Sequence, residues 1–213
     1  MKIAWYMSFI FAFMPFARAG VLIEPYVGFA KSLSGKATIN GTGHEFDYTS
    51  PEYGGRLGMT WMGLMTGVDY SMESFKLHTK APASVADAAV DAKDKVDKSQ
   101  IGIFLGYRFP MIRFWGTYFL SSEVKGKDAD RSPGSGSSDQ FIRGQVKFKD
   151  GSGFGVGMGY SLFPFVSING EYRKISYDTI IQSDGSKLDA AFYTGKISLS
   201  EFLLSVSFPI SIF

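Results

Sequence analysis

Two histidines, His44 and His78, and no cysteine narrow what this chain of 213 residues can catalyse. Thiol chemistry and disulfides are excluded. No His/Cys cluster has metal-ligand spacing, and "DADRSPGSGSSD" (128–139) lacks the alternating ligands of a calcium loop. Serines and acids flank both histidines, but no spacing specifies a nucleophile, base and orienting acid. No cofactor or metal is expected, and the catalytic set is empty. One further stretch, "GSGFGVGMGYSLF" (151–163), has glycine at every second position from Gly151 to Gly159 and invites comparison with a phosphate cradle. The dinucleotide fingerprint needs Gly-x-Gly-x-x-Gly. Here the third required position falls on Val156, Met158, Tyr160 or Leu162. The period is two, which is the period of a strand.

The remaining chemistry is ionic. Arg56, Arg108, Arg113 and Arg173 can pair with Glu24, Asp69, Glu123, Glu171 and Glu201 if one structure turns them all inward. The chain has elements that would do so. "VLIEPYVGFA" sets Val21, Ile23, Pro25, Val27 and Phe29 against Glu24, Tyr26 and Gly28. "EYGGRLGMTW" sets Tyr53, Leu57, Met59 and Trp61 against Glu52, Arg56 and Thr60. The same alternation recurs in "LMTGVDYSMESF", "QIGIFLGYRF", "RFWGTYFLSSE", the glycine stretch, "VSINGEYRK" and "EFLLSVSFPISIF". In "RFWGTYFLSSE" it places Ser121 and Glu123 with Arg113 on the polar side. Charges lie opposite the apolar stripe throughout, until Lys76 and Lys174 at strand ends. The polar face is Gly, Ser, Thr, Arg, Asp and Glu with almost no Lys, which suits a narrow interior better than the wet face of a soluble sandwich.

An apolar exterior in hydrocarbon leaves strand backbones no partner but other strands, so the sheet must close. The expected fold is all-β: an eight-stranded antiparallel transmembrane β-barrel with short periplasmic turns and four long extracellular loops. The turns are Met62-Gly63, Pro110-Met111 and Phe163-Pro164-Phe165; the loops cover about 33–50, 77–98, 124–152 and 178–200. Trp61, Tyr107, Tyr118, Tyr160 and Tyr172 suit interfacial girdles. In the second loop Val85, Ala89, Ala92 and Val96 have helical spacing, consistent with a surface helix or a solvated loop. The third loop looks disordered over 128–139, and "QFIRGQVKFKD" (140–150) reads as a strand extension or as part of a ten-strand barrel.

Tight turns set the registers. Arg56 should face Asp69, and Glu52 should face Glu73. Gly106 should face Trp115, Gly102 Phe119, and Arg108 Arg113. Gly155, Gly157 and Gly159 should face Arg173, Glu171 and Asn169. Two adjacent arginines need an acid, and Glu24 can reach them across the lumen. Pro25 and Pro209, which lack an N–H, fall where the first and last strands must pair and should weaken that seam.

The chain opens "MKIAWYMSFIFAFMPFARAG": a basic Lys2, an apolar run to Phe16, and Ala17-Arg18-Ala19 as a small-x-small site. Residues 1–19 are expected to be a signal peptide, and residues 20–213 the barrel domain. The whole chain has 22 Lys and Arg against 20 Asp and Glu. The leader holds Lys2, Arg18 and no acid, so 20 oppose 20 after cleavage, and nothing suggests nucleic acid.

The export signal, the eight segments, "LIEPYVGF" and the terminal aromatic Phe213 together resemble the small outer-membrane β-barrel family, the OmpA/OmpX/OmpW-like group. The resemblance covers the mature chain. It implies a bacterial outer-membrane location and insertion by the outer-membrane assembly machinery, which reads an aromatic C-terminal strand. Here Phe213 is out of phase with Ile212, Ile210, Phe208 and Val206. The expected function is non-enzymatic: a side-chain-plugged barrel with a structural and surface-interaction role. It would be a monomer, with outer-membrane lipids, lipopolysaccharide and an unknown extracellular ligand as partners. The alternatives are a narrow channel for small or hydrophobic solutes and, further off, a lipid A-modifying enzyme using His44 or His78.

Overall fold

A computed structural model describes residues 19–39, 42–81, 90–127, 147–163, 165–181, 187–189 and 197–212. The expected signal peptide up to Arg18, the 128–139 stretch, residues 140–146 and Phe213 lie outside the described residues. The strands are β1 (Gly20–Ile39), β2 (Thr42–Asp47), β3 (Thr49–Trp61), β4 (Leu64–Ala81), β5 (Val90–Arg108) and β6 (Ile112–Lys127). They continue as β7 (Lys147–Phe163), β8 (Val166–Tyr177), β9 (Thr179–Ile181), β10 (Lys187–Asp189), β11 (Ile197–Ser207) and β12 (Ile210–Ile212).

These form eight walls, because β2 and β3 are one strand broken at Tyr48, and β11 and β12 are one strand broken at Phe208-Pro209. Each wall pairs antiparallel with the next, β7 pairs β8, and β11 and β12 pair back onto β1. The sheet is therefore a closed eight-stranded antiparallel barrel with no helix among the described residues. The short β9 follows β8 after Asp178 and pairs with the start of β7, and β10 pairs with β9.

The turns set register as their length dictates. Met62 and Gly63 both have positive φ (50° and 86°), the backbone of a two-residue hairpin whose twist matches its strands. Arg56 is then opposite Asp69, and Glu52 opposite Glu73. Gly106, Gly102 and Arg108 face Trp115, Phe119 and Arg113. Gly155, Gly157 and Gly159 face Arg173, Glu171 and Asn169.

The outer face is a band of exposed apolar side chains, such as Val21 to Phe29, Tyr53 to Trp61 and Phe154 to Leu162. Nine residues at about 3.3 Å each, tilted by about 40°, give roughly 23 Å of height, close to a hydrocarbon core. Trp61, Tyr107, Tyr118 and Tyr160 are exposed on this band, while Tyr172 is half-buried.

Three expectations are corrected. Helical spacing in the second loop does not give a helix over its described part: β5 is already strand from Val90, and Thr79, His78 and Phe75 pair with Ala92, Lys93 and Val96. The first two loops are mostly strand, since β1 runs to Ile39 and the β4–β5 ladder to Ala81 and Val90. The described part of "QFIRGQVKFKD", by contrast, agrees with the strand-extension reading and continues β7 from Lys147. Finally, a bulge alters β6. Gly102 pairs Phe119 but Ile101 pairs Ser121, so Leu120 is an extra residue and the facing inverts beyond it. Ser122 and Val124 turn inward; Ser121 and Glu123 do not.

Candidate functional site

The lumen is filled, in layers. At the turn end Leu22, Met65 and Phe104 pack together. At the loop end Tyr48, Phe75, Val96, Phe119, Val124, Ile175, Tyr177 and Ile197 form a larger apolar cluster, with Tyr48 stacked on Phe75 at 4.2 Å. Between them lies an ionic network. Six buried carboxylates (Glu24, Glu52, Asp69, Glu73, Glu171, Glu201) meet four buried cations (Arg56, Lys98, Arg113, Arg173).

Arg56 and Arg113 organise the lower part. Arg56 Nε donates to Asp69 Oδ2 at 2.9 Å, its Nη2 to Glu171 Oε2 at 2.8 Å and its Nη1 to Glu24 Oε1 at 3.3 Å. Arg113 Nη1 donates to Glu24 Oε2 at 2.7 Å, and its Nη2 bonds the other Glu24 oxygen, Asn169 Oδ1 and Ser207 Oγ. This is the forked pairing that a guanidinium makes with a carboxylate. Both guanidiniums lie over the Trp115 ring, at 4.4 and 5.2 Å from its centroid, and the indole N–H donates to Glu171 Oε2 at 3.1 Å. The ring has room because Gly157 stands beneath it; a Cβ there would collide with the indole.

Arg173 and Lys98 organise the upper part. Arg173 Nη1 donates to Glu52 Oε1 at 2.7 Å, and its Nε to Glu171 Oε1 at 2.8 Å. Lys98 Nζ lies 2.9 Å from Glu73 Oε1 and 2.5 Å from Glu201 Oε2; Tyr48 also donates to Glu201. Glu52, Glu73 and Glu201 bring ligand-type oxygens within 4.8 Å of one another, the one such carboxylate trio among the described residues. The Lys98 ammonium already bonds two of the three. The trio therefore carries its own counter-ion, and its chemistry is that of a buried ion cluster.

Of the residues assigned inward from sequence, Glu24, Arg56, Asp69, Arg113, Glu171, Arg173 and Glu201 meet in this network. Arg108 stands at its edge, half-buried, with Nη1 3.4 Å from Ser211 Oγ and Nη2 without a partner. Glu123 stands apart: the β6 bulge turns it outward, where it lies 3.8 Å from Lys149 with both side chains well exposed. Lys98 was missed by sequence, although extending the period of two back from Gln100 would have placed it inward. Glu52 and Glu73 were read as inward but not as members of the network. Tyr26 joins them, donating to Asp69 Oδ1 at 2.9 Å. His44 and His78 sit on β2 and β4, at register positions opposite Ala37 and Asp47.

No family model and no curated relative matches the chain. Solved structures do. The Neisserial surface protein A is 15% identical, covering 90% of this chain and 98% of that one, with a TM-score of 0.47. The outer membrane protein OprG from Pseudomonas aeruginosa is 16% identical over 91% and 97%, with a TM-score of 0.47. Ail, the attachment invasion locus protein of Yersinia pestis, is 11% identical over 89% and 99%, with a TM-score of 0.48. By its own ladder and its apolar girdle, the chain is an eight-stranded transmembrane β-barrel, similar to these small outer-membrane barrels.

Proposed function

We propose that the protein is a non-enzymatic outer-membrane barrel with a structural and surface-interaction role. Its plugged body holds the long connections on the outer side for contact with an extracellular ligand. The observation that carries this reading is the filled interior. An ionic network that bridges opposite walls is roofed by a packed apolar cluster, so water and solutes have no wide path. Such a body suits a support better than a conduit. It is expected to act as a monomer inserted by the outer-membrane assembly machinery.

Planar-bilayer recording tests this. The expected result is no steady conductance from full-length refolded protein; openings on the nanosiemens scale would reject the plugged reading in favour of a channel. The enzymatic alternative has its own measurement. Mass spectrometry of lipid A from cells with and without the protein should show no difference, and a change abolished by His44→Ala or His78→Ala would overturn the non-enzymatic assignment.

A further inference from the structure

The outward face changes character above the lipid-facing band. On β4 the outward residues run Val68, Tyr70 and Met72, then Ser74 and Lys76. On β5 they run Ile103 and Ile101, then Ser99, Asp97 and Lys95. The register lays these residues in rows across the sheet. Lys76 is directly opposite Lys95, and Lys95 is opposite Lys127. One row nearer the band, Asp97 is opposite Lys125, and Lys125 is opposite Lys147. Lys76, Lys95 and Lys125 are exposed. Of the other acids on this face, Glu123 lies beside Lys149, and Glu45 and Asp47 are exposed on β2, at register positions opposite Lys80 and His78.

Like charges directly opposite each other destabilise an antiparallel pair. A sheet that stacks Lys76 on Lys95 and Lys125 on Lys147 therefore gains when an anion sits between them. Position says which anion. Lys76 lies four residues beyond Met72, roughly 10 Å above the edge of the apolar band at about 3.3 Å per residue and a tilt of about 40°. That is headgroup height. The lysines also continue the radial face that meets acyl chains, so they look sideways into the leaflet and not up into the medium.

We propose that this lysine face binds the phosphate groups of a phosphorylated glycolipid of the outer leaflet, lipopolysaccharide. Ammonium groups act there as compact point charges that need no fixed bidentate geometry, which suits headgroups that differ in orientation. The proposal rests on the outer-membrane placement but not on a closed lumen.

The test uses full-length protein refolded into phosphatidylcholine nanodiscs containing phosphorylated lipopolysaccharide, dephosphorylated lipopolysaccharide or neither. Retained glycolipid is quantified after size exclusion, for the wild type and for K76Q/K95Q/K125Q. Wild type should retain the phosphorylated form preferentially. The variant should lose about tenfold or more of that preference, because each lysine near an anionic lipid surface is worth about a factor of five. Stability provides a second readout with a sign reversal: without glycolipid the variant should resist urea as well as wild type or better, and with phosphorylated glycolipid less well. Equal retention by wild type and variant, or an equal loss of stability in all three lipids, overturns the proposal. So does inorganic polyphosphate binding in detergent as tightly as the glycolipid, which would assign the face to a soluble polyanion. Heat-modifiable gel mobility of the variant keeps a folding failure, or a failure of the membrane placement, apart from these outcomes.

Discussion

Arg113 spans the floor of the lumen to grip Glu24, 89 residues away in sequence, with two guanidinium nitrogens. Its cross-strand neighbour Arg108 finds no carboxylate among the described residues, and Glu24 serves Arg113 and Arg56 together. Glu24→Gln removes the charge that both depend on while keeping the shape. Arg56 keeps Asp69 and Glu171, so the stranded cation is Arg113; this should cost about 3–5 kcal/mol, read as the urea midpoint for unfolding in phospholipid. An E24L/R113M pair should recover much of that loss, because it removes both charges together.

The upper cluster should respond unequally. Glu201 receives Lys98, Tyr48 and Gln100, whereas Glu73 receives Lys98 alone and leaves Oε2 without a partner. Glu201→Gln is expected to cost about 3–5 kcal/mol. Glu73→Gln is expected to cost about 1 kcal/mol, the worth of an ordinary hydrogen bond, because Lys98 keeps Glu201. The same unfolding measurement compares them; equal costs would contradict the division of labour.

Gly157 lies under the Trp115 indole. Gly157→Leu should displace the ring and cost at least about 1–3 kcal/mol by overpacking. The displacement should also change Trp115 fluorescence, since the ring would leave Arg56 and Glu171. Unchanged stability and emission would mean that the ring does not rest there.

The closing seam is a kinetic prediction. β1 pairs with β12 over three residues, Val21 to Ile23, and the ladder resumes at Tyr26 with Ser207. Between them Pro25 and Pro209 offer no N–H, and Phe208 N to Pro25 O at 3.0 Å bridges the gap. Amides of Val21 to Glu24 should exchange roughly 2- to 10-fold faster than those of the Arg56–Asp69 hairpin. That factor corresponds to about 0.5–1.5 kcal/mol for one missing bond.

What was legible in sequence, and what was not, follows from local geometry. Registers could be read wherever a turn of two or three residues joined strands, because turn length leaves one alignment; Arg56–Asp69 and Gly157–Glu171 follow from it. Facing could be read as long as alternation was unbroken. At Leu120 it breaks, and nothing about "YFLSSE" separates a bulge from a regular strand, so Glu123 was assigned to the wrong side. Lys98 was missed for a different reason: its polar neighbours Lys95, Asp97 and Ser99 resemble a loop, while the residues that make it strand lie on β4 and β6. Of the helical spacing, the described part, Ala92 and Val96, is overridden from Val90 onward by pairing with β4. The apolar roof was invisible because its members come from six separate segments, one or two from each.

Four ion pairs of the lumen join walls that are distant around the ring: Glu24 with Arg113, Arg56 with Glu171, Arg173 with Glu52, Lys98 with Glu201. None of them can form in an open sheet. A half-assembled barrel would keep the pairs between neighbouring walls, Arg56–Asp69 and Lys98–Glu73, but would leave Arg113 without the Glu24 carboxylate and the cross-lumen bonds unmade. Closing the ring and completing the charge network are thus a single event. The folding intermediate just before it has nowhere comfortable to rest, so insertion should proceed without a long-lived partial barrel.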